Sequence, residues 1–173
     1  MAGIGGSGER GQAVLLCRVA ERLIALPSAA VPGVRAITPL WRPPTLPLAV
    51  VGFAAVDGHA IPVLRTSRLL GLGAGGTPDL YTHIVWLRGA ATRTTGLLVD
   101  RAEDVITPAA DAAMPLDSAE TFNGCAVAAF DVDGRVAHLI DPTRLLQAAE
   151  RVALAELAEA AERRMADWEG VLA

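Results

Sequence analysis

Three histidines, two cysteines and two glycine-rich stretches are the places where this chain of 173 residues could do chemistry. His59, His83 and His138 each fall in a strand-like run, far apart in sequence. A histidine base or a metal centre needs partners that converge on it, and none stands nearby, so the three read as structural or surface residues. Cys17 and Cys125 lie inside apolar runs, with no second cysteine or histidine at ligand spacing. They read as reduced core residues rather than as a redox pair or a metal site. The pattern G-x-G-x-x-G occurs at Gly3–Gly8 and at Gly71–Gly76. A dinucleotide site needs a strand before the first glycine and a helix after the last, and neither copy has both. Asp131-Val-Asp133-Gly134 has too few carboxylates for a calcium loop and reads as a hairpin turn. There is no Gly-x-Ser-x-Gly elbow and no His-Glu-x-x-His helix. No catalytic constellation, no metal site and no cofactor site results, and the chain reads as a non-enzyme.

Composition points the same way. All 15 basic residues are arginine, and the net charge of −4 is spread along the chain. That argues against a surface that tracks phosphates, so nucleic acid is excluded as a partner. Apolar residues make up 52%, without a run of 18 that could span a bilayer. The amino terminus has neither a basic start nor a hydrophobic block, and the cytoplasm is the expected compartment.

The elements that must position any surface are short strands. Val51 to Val56 and His59 to Leu64 flank Asp57-Gly58, a pair that favours a type I′ turn. The register this sets places Val56 opposite His59, Ala54 opposite Ile61 and Gly52 opposite Val63. Both faces of the hairpin are apolar, so both must be covered. Pro62 has no N–H and must point away from a ladder, at an edge or a bulge. Arg65 to Gly71 reads as a helical turn stopped by glycine. Before the hairpin, Val14–Val19, Leu23–Leu26 and Val34–Thr38 read as strands. After it come Tyr81–Arg88, Arg93–Asp100, Glu103–Thr107, Phe122–Phe130 and Arg135–Asp141, the last two joined at Asp133-Gly134. Five strands thus precede the Gly/Pro-rich stretch 71–79 and about five follow it, which predicts a subdomain boundary there. The long loop Pro108–Thr121 has the length of loops placed for binding.

Residues 1–12 are glycine-rich and expected to be disordered. From Pro142 the pattern turns helical, with Asp141 as the cap, and runs to about Trp168. On a wheel Leu146, Ala149, Ala153, Leu157, Ala160, Trp168 and Val171 share one face. Division into a tail 1–12, a β domain 13–146 and an amphipathic helix 147–173 follows.

Four segments, in this order and spacing, resemble one family. Gly52-(x5)-Gly58-x-x-Ile61-Pro62-Val63, followed by Leu69-x-Gly71, is similar to the central segment of CheW-like domains. Gly96-Leu-Leu-Val99-Asp100-(x4)-Val105 resembles their second-barrel segment. Gly124, Asp133-Gly134 and Leu139-Ile140-Asp141-(x3)-Leu145-Leu146 resemble their closing hairpin, and Val31-x-x-Val34 stands near the start. The resemblance covers Val14 to Leu146. It implies two tandem five-stranded SH3-like β barrels, to which the helix read from periodicity adds a carboxy-terminal element, mainly β in class. It also implies a scaffold that couples the cytoplasmic tip of a chemoreceptor to the regulatory domain of a CheA-type histidine kinase.

Two positions depart from the family pattern. Where relatives carry Asn-Leu-Arg-Gly, this chain has Ala55-Val-Asp57-Gly58; where they carry Pro-Val-Ile-Asp-Leu-Arg, it has Pro62-Val-Leu-Arg65-Thr-Ser67. The signs of charge are exchanged, which fits either partners with altered charges or a divergent module serving a different partner. The partner-binding surface implied by the resemblance includes Val31, Val34, Val56, Asp57 and Arg65. Trp168, close to the end of the helix, reads as an anchor for a partner or for self-association. The rival reading from another class is a small-molecule-binding β-barrel sensor, which would require a sizeable pocket.

Overall fold

The computed structural model describes residues 11–89 and 93–172. The expected disordered tail and the glycine stretch Gly3–Gly8 fall wholly or mostly outside them. The described residues form ten strands, β1 (Val14–Val19), β2 (Arg22–Pro27), β3 (Gly33–Ala36), β4 (Val50–Val56), β5 (His59–Arg65), β6 (His83–Arg88), β7 (Thr94–Val99), β8 (Arg101–Ile106), β9 (Ala126–Val132) and β10 (Arg135–Ile140). A one-turn helix α1 (Thr66–Leu69) follows β5, and the long helix α2 (Ala148–Leu172) closes the described chain. The hairpin register is the one the Asp-Gly turn dictates, with Val56 opposite His59, Ala54 opposite Ile61 and Gly52 opposite Val63.

The strands form two five-stranded sheets, β8-β1-β2-β10-β9 and β3-β6-β7-β5-β4. This matches the expected number and size of the units but corrects how the chain fills them. The stretch 71–79 does not divide the sheets, because β5 before it pairs in parallel with β7 after it. Likewise β2 pairs in parallel with β10, more than a hundred residues on. The first sheet is therefore made from both ends of the chain, with the second inserted whole between β2 and β8. The segment Gly96–Val99 accordingly belongs with the central hairpin and not to the other barrel. Strand periodicity carries no information on which strand is whose neighbour, so counting alone misplaced the boundary.

Each sheet is closed by the segment that leaves one of its outer strands. Beyond β3 the chain reaches Trp41, whose N–H and C=O both bond to Phe53 of β4 at 2.9 Å. Beyond β8, Met114 makes the same pair of bonds to Ala129 of β9, at 2.6 and 3.3 Å. Exposed edges that could recruit foreign strands are shortened in this way. The arrangement also explains Pro62. Its partner across the hairpin is Phe53, whose amide and carbonyl are both turned outward to Trp41. Phe53–Pro62 is thus a non-hydrogen-bonded pair, and the ladder to β7 begins only at Val63, so the missing N–H costs no bond. Gly52 is needed for this closure, because a Cβ there would stand 2.9 Å from the Trp41 carbonyl oxygen and 3.0 Å from Leu40 Cβ.

Side chains alternate between two kinds of core, as a period of two requires. In β1, Leu15, Cys17 and Val19 face one large cluster while Val14 and Leu16 face another that contains only residues of their own sheet and its closing loop. In β6 and β7, Val85, Leu87, Leu97 and Val99 join the large cluster, and Ile84 and Leu98 fill a small one with Val51, Ala54 and Val63. The large cluster draws on both sheets, on Phe122, Cys125 and Leu145, and on α2. Strands apolar on both faces are consequently covered on both.

The carboxy-terminal helix differs from expectation at its start and in its buried face. Asp141 does cap, its Oδ1 accepting from Thr143 N at 2.9 Å, but the turn it caps is a short 3₁₀ element over Pro142–Arg144. Leu145 then enters the core, and α2 starts at Ala148. The buried positions are Leu154, Ala158 and Ala161, with Leu157 and Met165 half-buried. Ala149 and Ala153, expected on that stripe, are exposed. Alanine is small enough to sit on either side, so an alanine-rich helix specifies its buried face only weakly.

Gly96 shows how tightly the inserted barrel is filled. A Cβ there would stand 2.9 Å from Ile84 Cγ2, 3.0 Å from Trp86 Cζ3 and 3.1 Å from Val63 Cγ2. Three side chains from two neighbouring strands would have to move together. Gly96→Val is expected to lower stability by about 1–3 kcal/mol, read as a lower urea midpoint at unchanged slope. An unchanged midpoint would show that this interior is loosely packed.

Candidate partner-binding surface

The most sharply built surface feature is the tip of the β4–β5 hairpin. Asp57 and Gly58 adopt φ of +50° and +80°, the two left-handed positions of a type I′ turn. Helix α2 braces this tip from the side. Glu162 Oε1 accepts the Ala60 amide at 3.1 Å and lies 3.3 Å from His59 Nδ1. One turn earlier, Glu159 pairs with Arg93 at 2.7 Å, just before β7. The hairpin is thereby fixed to a helix more than a hundred residues away. Neither glutamate was legible as a bracing residue, because a solvent-facing carboxylate on a helix carries no mark of a partner so distant in sequence.

The six expected site residues are distributed unevenly over this frame. Val56 and Asp57 stand together at the tip, Val56 half-buried against the interior of its own barrel and Asp57 exposed. Trp168 is 55% exposed, two turns beyond the Glu162 brace. Val34 lies on the short edge strand β3, opposite Val85, and is 40% exposed. Val31 ends a 3₁₀ turn and packs against the shared core. Arg65 turns toward its own chain, where Nη1 donates to the carbonyls of Ala74 at 3.1 Å and Gly76 at 3.4 Å. Its guanidinium pins the glycine-rich loop, the one whose spacing resembled a nucleotide motif. That loop encloses a cleft lined by Arg65, Ser67, Thr82 and Asp100 with about 10 Å³ of free volume, room for one water.

Comparison with known proteins decides the family. The pattern of the CheW-like domain matches residues 13–150, most of the chain. The chain belongs to the CheW-like domain family. It is 26% identical over 145 residues to the Chemotaxis protein CheW of Rhizobium meliloti (strain 1021), covering 83% of this chain and 92% of that one. The scaffolding protein TtCheW from Thermoanaerobacter tengcongensis shares the fold, with a TM-score of 0.69 at 18% identity over 84% of this chain and 94% of that chain.

Within the CheW-like fold several other polar side chains serve the frame. Asp100 sits where the chain passes from β7 of one sheet to β8 of the other; its Oδ2 accepts the Ala20 amide at 2.7 Å, and its own N–H donates to Arg18 O at 2.9 Å. Ala20 and Glu21 hold φ of +46° and +67°, a costly turn for residues other than glycine that this hydrogen bond helps to hold. Buried His138 has Nε2 3.1 Å from Glu120 Oε2 and stacks edge-on to Phe122, so the long loop expected to bind is fastened to its own sheet. His83 Nδ1 accepts the Ala102 amide at 3.3 Å. Cys17 and Cys125 are buried and unpaired, and burial, aided by Glu103, pushes the Cys17 thiol up to about 12. Among the described residues no His, Cys, Asp or Glu side chains cluster as a metal site would require, and no helix is long and apolar enough to cross a membrane.

Glu103 ties three strands together by ion pairs. It receives Arg18 at 2.6 Å and Arg135 at 2.9 Å, joining β8 to β1 and β10. Burial alone would raise its carboxyl, but the hydrogen bonds from Arg135 and Arg18 outweigh it and hold the group below its ordinary value of 4.5. A carboxylate lowered on folding stabilises the protein above the unfolded-state value and loses that contribution as pH falls through the folded one. Glu103→Gln is therefore expected to lose about 1–2 kcal/mol at neutral pH and to flatten the loss of stability below about pH 4.5. Denaturant midpoints at pH 7 and pH 3.5 check it: an equal deficit at both would show that the charge is immaterial.

Proposed function

We propose that the protein is a non-enzymatic adaptor of a chemosensory pathway, in the cytoplasm, coupling the cytoplasmic tip of a chemoreceptor to the regulatory domain of a CheA-type histidine kinase. Membership in the CheW-like family across residues 13–150 is the observation that carries this reading. The Rhizobium relative bears the name of a chemotaxis protein, and the Thermoanaerobacter protein is a scaffold. The physical form suits the task. Rigid barrels with shortened edges display fixed surfaces, and association through such surfaces is reversible and needs no chemistry. The small-molecule sensor gains nothing from the cleft beside Ser67, which has room for one water where a ligand pocket needs some hundreds of cubic ångströms.

Val56 and Asp57 at the braced tip, with Val34 on the edge strand, are the proposed contact residues. Arg65 contributes indirectly, through the loop it pins. The test of the class is co-purification from the native cell: recovery of a receptor and a histidine kinase supports the adaptor, and their absence under conditions that retain other complexes counts against it. Asp57 gives the test of the site. A rim charge acts mainly on encounter, so Asp57→Arg is expected to change the association rate and its salt dependence about tenfold while shifting the melting temperature by only a degree or two. Kinase-regulatory-domain binding followed by stopped flow at two ionic strengths measures this. A large fall in melting temperature with unchanged binding would assign Asp57 to the turn alone.

A further inference from the structure

The geometry points to α2 as a releasable strap, which lifts from the barrels as a unit while they stay folded and whose docking sets the rigidity of the β4–β5 tip. Almost all of this helix lies beyond the family match at residue 150. Its root is firmly set. Leu145 is buried in the shared core, Glu150 Oε2 accepts the Gln147 amide at 2.7 Å, and Arg151 Nη1 donates to the Leu146 carbonyl at 2.7 Å. Past the root the hold weakens. Among the described side chains of its 25 residues, only Leu154, Ala158 and Ala161 are buried. Two of these three are alanines, and a buried methyl removes far less apolar surface from water than the valines and leucines of the strands. Backbone hydrogen bonds differ in the same direction. Every strand is tied to a neighbour by its ladder and cannot leave without breaking those bonds. A helix keeps its backbone bonds within itself, and one rich in alanine keeps many of them when it lifts away.

Two glutamates hold the distal half, and both close on the hairpin region. Glu159 pairs with Arg93 at 2.7 Å between exposed side chains, and such pairs hold weakly. Glu162 makes the more particular contact. In an antiparallel ladder alternate residues turn their amides away from the partner strand. Val56 opposite His59 closes the turn, so the outward positions next to it on β5 are Ala60 and Pro62. Strand β7 does not pair with β5 before Val63, and proline has no N–H. The Ala60 amide is therefore the one outward donor between the turn and β7, and Glu162 Oε1 accepts it at 3.1 Å. A carboxylate from the helix thus stands where a neighbouring strand would otherwise pair. When α2 lifts, that amide passes to water, and β5 between the turn and Val63 keeps only β4 as its neighbour. A two-stranded ribbon without support is looser than a braced one. By linkage, whatever binds the braced tip also holds α2 down, by the same factor. This last consequence rests on the tip being a contact surface, as proposed above; the release does not.

Native-state hydrogen exchange on the full chain, read residue by residue in low urea, is the experiment. The amides of residues 153–168 and that of Ala60 are expected to exchange as one set, about a hundredfold faster than the core amides of β1, β2, β6 and β7. Their rates should depend less on urea than the strand rates, because the opening exposes less surface. A helix that exchanges only together with the strands overturns the inference. Leu16→Ala, in a cluster without α2 residues, separates the two events. It destabilises every state with folded barrels alike, so the strand amides are expected to speed up about a hundredfold while the α2 set keeps its rate. Equal acceleration of both sets overturns the release. Should this variant not fold, Val14→Ala in the same cluster makes the same comparison. Glu162→Ala is expected to raise the exchange of Ala60 and of α2 about tenfold, and unchanged rates overturn the role given to Glu162.

Discussion

Strands that are apolar on both faces must be covered on both, and nearly everything in this structure follows from that requirement. A single open sheet of ten such strands would leave one face in water. Two curled sheets meet the condition, each enclosing a small cluster such as Val14, Leu16, Leu23, Ala25, Phe130 and Ala137, and each giving its other face to a core shared with the second. Full burial of one branched side chain contributes about 1.5–3 kcal/mol. The shared core is the largest cluster, so each barrel draws part of its stabilisation from the other.

Interleaving strengthens that dependence. The sheet β8-β1-β2-β10-β9 is assembled from the two ends of the chain around an inserted sheet. Pairing β2 with β10 requires everything between them to be in place, and loop closure over such a distance is slow to gain its contacts. The crossing at Asp100 is where order is enforced locally: one side chain holds the strained β1–β2 turn while its own amide joins the β1 strand. The barrels are therefore joined through packed side chains of one shared core.

Local features of this fold were legible in the sequence, and long-range ones were not. Asp57-Gly58 and Asp133-Gly134 declared their turns, and the register of the first hairpin follows from two residues. Val14–Val19 was readable to the residue because apolar periodicity is a property of the segment itself. The subdomain boundary misled because the glycine and proline in 71–79 mark a break in periodicity, which is equally what a crossover loop inside one sheet produces. Of the proposed site, the exposure of Asp57 and Trp168 could be anticipated, since a turn tip and a late tryptophan are exposed by position. The roles of Arg65, Glu159 and Glu162 could not, because each is defined by a partner that only the folded chain brings near.

The exchange of charges relative to the family pattern takes on a physical sense in this light. Arg65 stands where the resemblance implies an acid, and its guanidinium is engaged with two carbonyls of the 71–79 loop, contacts that a carboxylate cannot make because it has no donor to offer. The change at this position is thus absorbed by the chain itself. At the tip the situation is different: Asp57 is exposed, in no ion pair among the described residues, and placed on a turn that an Asp-Gly pair already favours. Nothing internal requires a negative charge there, so any cost or benefit of its sign must be felt by whatever approaches the hairpin. Two positions that look alike in the sequence therefore differ in the fold: Arg65 is engaged by its own chain, and Asp57 is left exposed.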